Sequence, residues 1–181
     1  MRRYLLLAMA VPASAYISAA PIMRGGRSQL ARSGAMGMHA LAAGLRTKKL
    51  GWSDVDVSAV CLGTMTFGHQ NTEAEGHQQM DMAAEHGVNF FDSAEMYPFP
   101  ANPKTYGRTD EIVGTWLAAR GQRDKIVVAT KIAGPGARFE HIRGGSLKFD
   151  RTHLIQAVDD SLARLRTDYI DLYQTHWPER P

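Results

Sequence analysis

The sequence of 181 residues holds one cysteine, Cys61. A lone thiol excludes an internal disulfide framework and any zinc site built from several cysteines. No apolar run approaches the roughly 20 residues a helix needs to cross a bilayer, so a membrane-spanning protein is excluded. Acid is missing from residues 1–44, which carry Arg2, Arg3, Arg24, Arg27 and Arg32 but neither Asp nor Glu. The net charge of +3 therefore belongs to this segment, and the body is slightly acidic, with 16 basic and 18 acidic residues. That balance, with no lysine stripe, gives no electrostatic footprint for nucleic acid, and none is expected as a partner. No G-x-G-x-x-G run follows the first apolar segment. No H-E-x-x-H spacing joins His69, His77, His86, His141 and His153, so no metal is assigned.

What is present begins with an address. Arg2 and Arg3 form a charged start, residues 4–11 a short apolar stretch, and Ala13-Ser14-Ala15 a small-x-small cleavage site, the order of a secretory signal peptide. Residues 16–44 are rich in Ala, Gly, Ser and Arg, which is transit-peptide composition. A signal peptide followed by a transit segment resembles the bipartite leader of complex-plastid algae, where an Ala-Ser-Ala-Phe junction is typical; Ala13-Ser14-Ala15-Tyr16 has Tyr for Phe. Residues 1–44 are thus expected to be a targeting leader to such a plastid. A mitochondrial leader, an ordinary secretory signal, or a start at Met36 or Met38 are the alternatives.

Residues 45–181 alternate strand and helix patterns. Residues 45–57 suit a short hairpin before the first main strand, at 59–62. Thr72-x-x-Glu75 has capping-box spacing and opens a helix with Met80, Ala83 and Ala84 inward, stopping at Gly87. A second strand at 88–91 ends at Asp92, and Pro98, Pro100 and Pro103 mark a loop. A helix from near Thr109 puts Ile112, Val113, Trp116 and Leu117 on one face and ends by Gly121. A third strand at 126–129 leads to Lys131 and a long Gly-rich loop at 134–147, which fits a flexible segment over a site mouth. Asp150 is a helix cap before Leu154, Ile155, Val158, Leu162 and Leu165, and a fourth strand at 169–175 ends at His176. Apolar strands joined by amphipathic helices predict an α/β fold with a parallel sheet, either doubly wound or a (β/α)8 TIM barrel. Asp92, Lys131 and His176 follow successive strands, where a barrel keeps its active site, and this favours the barrel.

Four stretches carry a resemblance: Leu62-Gly63-Thr64-Met65-Thr66-Phe67-Gly68, Phe91-Asp92-Ser93-Ala94-Glu95-Met96-Tyr97, Ala129-Thr130-Lys131, and Asp168 through Gln174-Thr175-His176-Trp177-Pro178. In this order they resemble the aldo-keto reductases, with Met96-Tyr97-Pro98 and the Trp-Pro after His176 most similar to the Tas-like branch. The resemblance implies a catalytic set of Asp92, Tyr97, Lys131 and His176. It implies NADPH as cofactor, with Gly63, Thr64 and Asp92 facing it, and a small-molecule carbonyl compound as substrate. Its chemistry is intelligible from residue types. Reducing a carbonyl needs a hydride on carbon and a proton on oxygen, and no side chain donates a hydride. A free phenol, with a pKa of about 10, is a poor acid near neutrality. A lysine ammonium beside it would favour the phenolate, an aspartate would hold that ammonium, and a histidine can hydrogen-bond the substrate oxygen. Each residue alone has a plainer reading, as a cap, a packed aromatic, a solvated lysine or a core histidine. Gly63-Thr64 alone also suits a strand-to-loop turn, and Cys61 a buried small hydrophobe.

The pattern also departs from the family. A complete barrel takes about 250 residues and eight strands, whereas residues 45–181 supply about the first four βα units. The fourth strand is then expected to be an open edge through which copies self-associate. The expected activity, NADPH-dependent reduction of aldehydes or ketones, belongs to the full-length form. The chain as it stands is expected to bind NADPH weakly. A truncated fragment or a non-catalytic half-barrel acting by association is the alternative.

Overall fold

The structure, a computed structural model, describes residues 44–145 and 147–179. The leader expected over 1–44 lies outside these residues except for Gly44. The chain first forms a hairpin of β1 (Thr47–Lys49) and antiparallel β2 (Asp56–Ser58), closed by the Lys49–Asp56 ion pair at 2.9 Å. Four parallel strands follow: β3 (Leu62–Gly63), β4 (Phe90–Asp92), β5 (Val127–Ile132) and β6 (Leu172–Thr175). They lie in chain order, each beside the next. The crossovers carry α1 (Glu73–Glu85), α2 (Arg108–Arg120) and α3 (Arg151–Leu165). A doubly wound sheet reverses its strand order at a switch point, while a barrel adds strands in sequence, so this order is the barrel's.

Local chemistry sets the element ends. The capping box forms: Thr72 Oγ1 accepts from Glu75 N at 3.3 Å and Glu75 Oε2 from Thr72 N at 2.8 Å. Past the end of α1, Gly87 takes a left-handed φ of 83°, so that Val88 N can donate to Ala83 O at 2.9 Å. Asp150 caps α3 by accepting from His153 N at 3.0 Å. Between sheet and helices lie Phe67, Met80, Phe91, Ile112, Val113, Trp116, Leu117, Val128 and Leu165, all buried.

Three expectations shift. The first parallel strand shrinks to Leu62–Gly63, because Ala59 N pairs with Arg46 O of the hairpin at 2.8 Å rather than with β4. The fourth begins at Leu172, because the Asp171 carboxylate itself takes Val128 N at 2.9 Å, where a neighbouring carbonyl would otherwise serve. Ile155, expected on the inner stripe of α3, is 49% exposed.

Candidate active site

The register of the parallel strands assembles the site. Gly63 of β3 lies beside Asp92 of β4, Asp92 beside Ala129 of β5, and Lys131 of β5 beside Gln174 of β6. Side chains alternate faces along a strand, so residues two apart share one face. Lys131 is nearly buried, and its Nζ donates to Asp92 Oδ2 and to Ser93 O, both at 2.7 Å. The second carboxylate oxygen of Asp92 accepts from Gln174 Nε2 at 3.4 Å.

Tyr97 comes from the loop after β4, held by its N–H donating to Ala94 O at 3.0 Å. Its ring centroid is 5.1 Å from Lys131 Nζ, and its hydroxyl is 3.5 Å from His176 Nε2. The two rings meet edge to face at 5.4 Å. His176 continues the β5–β6 ladder through its N–H to Ile132 O at 3.0 Å. Burial first, and the Lys131 ammonium second, push its imidazole down to about 4. It is therefore neutral at neutral pH, with Nδ1 buried and without a hydrogen-bond partner. Asp92, Tyr97, Lys131 and His176, named from the sequence, are thus brought together at one end of the sheet.

The other two named residues part company. Gly63 is exposed, and a Cβ built on it would meet nothing within 4 Å. Thr64 is fully buried, with its N–H at 3.0 Å and its hydroxyl at 2.9 Å both donating to Asp92 O. These two bonds fix the strand end that carries Asp92. Cys61, expected to be buried, is exposed as a residue. Its thiol nevertheless sits close enough to the strand end that desolvation, then the Asp92 carboxylate, push it up to about 12, which leaves it un-ionised.

Behind these residues lies a charged layer that sequence reasoning missed. Glu95, fully buried, pairs with Arg143 and accepts from Ala133 N at 2.6 Å. Burial pushes its carboxyl up, while Arg143 pulls it back. Asp110, also fully buried, accepts from Ser93 Oγ at 2.6 Å and has Arg164 Nε 3.5 Å from its other oxygen. The Gly-rich loop is anchored rather than loose: Arg143 ties it to Glu95, and Ile142 and Leu147 pack with Met96 and Tyr97. The only signal for Glu95 and Arg143 was their place near the site motifs; Asp110 read as an ordinary first-turn acid of a helix.

Among the described residues, no three His, Cys, Asp or Glu stand close enough to hold a metal ion. No helix there is long and apolar enough to cross a membrane.

The profile of the aldo/keto reductase family matches residues 59–181. Protein tas of Escherichia coli is 49% identical over 129 residues, covering 71% of this chain and 37% of the relative. The uncharacterized oxidoreductase YrpG of Bacillus subtilis is 42% identical over 136 residues, covering 72% and 40%. Among solved structures, the holo form of aldo-keto reductase AKR11C1 from Bacillus halodurans is 34% identical with a TM-score of 0.58, over 72% of this chain and 40% of that one. The thermostable aldo-keto reductase Tm1743, in complex with the inhibitor epalrestat, is 26% identical with a TM-score of 0.59, over 75% and 44%. The chain thus spans well under half the length of these relatives.

Proposed function

This chain belongs to the aldo/keto reductase family, and from that premise we propose that it carries the proton-donating site of an NADPH-dependent reductase of aldehydes and ketones. The observation that carries the reading is the cluster of one phenol, one ammonium and one neutral imidazole at a single strand end, with Asp92 behind the ammonium. The residues present suit the reactive end of a nicotinamide. Bare Gly63 leaves open space next to Asp92, where a flat ring meets no side chain. When bound, the cofactor supplies the hydride that reaches the carbonyl carbon.

The chain's own residues handle the oxygen. A carbonyl oxygen seated between Tyr97 and His176 accepts the phenol O–H and, in the tautomer with its proton on that nitrogen, the Nε2–H. As negative charge grows on the oxygen, both bonds strengthen. The Tyr97 proton moves to that oxygen and the product leaves as an alcohol; solvent then returns a proton to the phenolate. Lys131 stabilises the phenolate by proximity, and Asp92 keeps the ammonium charged and in place. A neutral His176 does not compete as the acid, so the proton comes from Tyr97.

The test follows nicotinamide oxidation with a panel of aldehydes and ketones, by the chain alone and mixed with the C-terminal half of the E. coli relative. Tyr97→Phe keeps the ring and removes the acid. General acid catalysis typically contributes about 10²–10⁴-fold, and kcat is expected to fall by that much. Lys131→Met is expected to be severe as well. Turnover that is unchanged in Tyr97→Phe, or a complex that binds NADPH yet reduces no carbonyl compound, contradicts the proposal. The leader adds a proposed address, the plastid of a complex-plastid alga, supported by the residues of 1–44 alone.

A further inference from the structure

We propose that Ser93 and Asp110 form a strut that fixes the aim of the Lys131 ammonium relative to Tyr97, and that both are positioning residues for the reaction. The inference rests on the proposed reductase reading. An ammonium has three N–H donors. Asp92 Oδ2 and Ser93 O occupy two of them at 2.7 Å each, so the third is the one left for the Tyr97 side. The direction of that third N–H depends on where the Ser93 carbonyl points.

Ser93 sits where β4 ends and its ladder gives out. Its own N–H still reaches Ala129 O at 2.8 Å, but its peptide carbonyl faces Lys131 rather than a strand. The Ser93 hydroxyl supplies the missing restraint by donating to Asp110 Oδ1 at 2.6 Å. Asp110 is a fully buried carboxylate, and burying an ion costs several kcal/mol unless it is paired and hydrogen-bonded. Ser93, Thr130 Oγ1 at 3.4 Å and Arg164 at 3.5 Å together offset that cost.

The neighbouring residue completes the argument. Thr109 donates its N–H to Tyr97 O at 3.5 Å and its hydroxyl to Phe67 O at 2.8 Å. One turn at the start of α2 therefore holds the peptide of Tyr97, through Thr109, and the peptide that aims Lys131, through Asp110. Ammonium and phenol are referenced to the same rigid body. The Ser93 hydroxyl holds the peptide whose carbonyl meets Lys131, so its loss is read at Tyr97 through the ammonium.

The experiment reads Tyr97 ionisation by carbon NMR of the full chain with labelled tyrosine and no cofactor, the signal being assigned by its loss in Tyr97→Phe. The charged and titratable groups around the phenol include Lys131 from β5, His176 after β6, Asp92 of β4 behind the lysine, Tyr106 in its apolar cluster and the Glu95–Arg143 pair of the layer behind, and the Ser93 variants retain them all. Burial raises the phenol and the ammonium lowers it, so Lys131→Met is expected to raise the wild-type midpoint. Ser93→Ala is expected to raise it by about one unit, and Ser93→Thr, which keeps the hydroxyl, to leave it in place. Far-ultraviolet circular dichroism checks the fold of each variant. Should Ser93→Ala fail to fold, Ser93→Cys decides, its thiol being a weak donor that leaves every charge in place, with a shift in the same sense expected. A midpoint that Lys131→Met raises but neither strut variant moves overturns the strut and leaves the reductase reading standing. A midpoint unmoved by Lys131→Met overturns both.

Discussion

His176 is the residue on which the site's electrostatics bear most visibly. An imidazole held down to about 4 in the folded chain, by burial and then by Lys131, returns to about 6.5 when unfolded. Between these values the unfolded state binds more protons, so stability rises with pH across the window and is lost as pH falls toward 4. A difference of that size corresponds to a few kcal/mol at most. Denaturant unfolding from pH 7 down to pH 4 is expected to show this slope, and His176→Gln to flatten it; equal slopes in both proteins contradict the burial of a neutral imidazole. Asp92, Lys131 and His176 were legible in the sequence because each closes or follows an apolar run, whereas Tyr97 and the roles of all four came from the resemblance to the aldo-keto reductases. Ser93 and Gln174 were not, because one acts through its backbone carbonyl and the other only through the second oxygen of Asp92. Thr64 was assigned to the cofactor by resemblance, with a strand-to-loop turn as its plainer reading; its hydroxyl donates to the Asp92 carbonyl.

At the scale of elements, the contact between α2 and α3 depends on Gly114. A Cβ there would lie 2.2 Å from Arg164 O and 2.7 Å from Leu165 C, both backbone atoms that cannot rotate away. Two effects of opposite sign meet at this position. Alanine is favoured over glycine within a helix by about 0.5–1 kcal/mol. Overpacking typically costs about 1–3 kcal/mol, and a clash with backbone belongs at the upper end. Gly114→Ala is therefore expected to destabilise by about 2 kcal/mol, read as a lower urea midpoint; a raised midpoint would show that the helices separate freely. Helix boundaries were legible because Thr72-x-x-Glu75, Gly87, Gly121 and Asp150 satisfy or release backbone groups locally. Strand starts were not. They depend on which distant group takes each backbone N–H: Arg46 O for Ala59 and the Asp171 carboxylate for Val128. The α2–α3 approach was equally hidden, since a glycine inside a helical pattern does not announce what lies against it.

Residues 1–44 carry no acid, and the strands of the body run in barrel order. A reporter fused to residues 1–50 is expected to enter the plastid of a complex-plastid alga; cytosolic fluorescence contradicts that address. In the body, the strands bring residues from Gly63 to His176 to one end, within a fold similar to 40% of the longer aldo-keto reductase from Bacillus halodurans. On the proposed reading, this strand end directs a hydride to a carbonyl carbon while Tyr97 protonates the oxygen. The most direct measurement supplies NADPH carrying deuterium at both nicotinamide C4 positions, with an aldehyde, to the chain combined with the C-terminal half of the E. coli relative, and locates the label by mass spectrometry. Deuterium is expected on the alcohol carbon, with the rate of its appearance reduced about 10²–10⁴-fold in Tyr97→Phe. Unlabelled alcohol, or labelled alcohol formed equally fast by Tyr97→Phe, contradicts it.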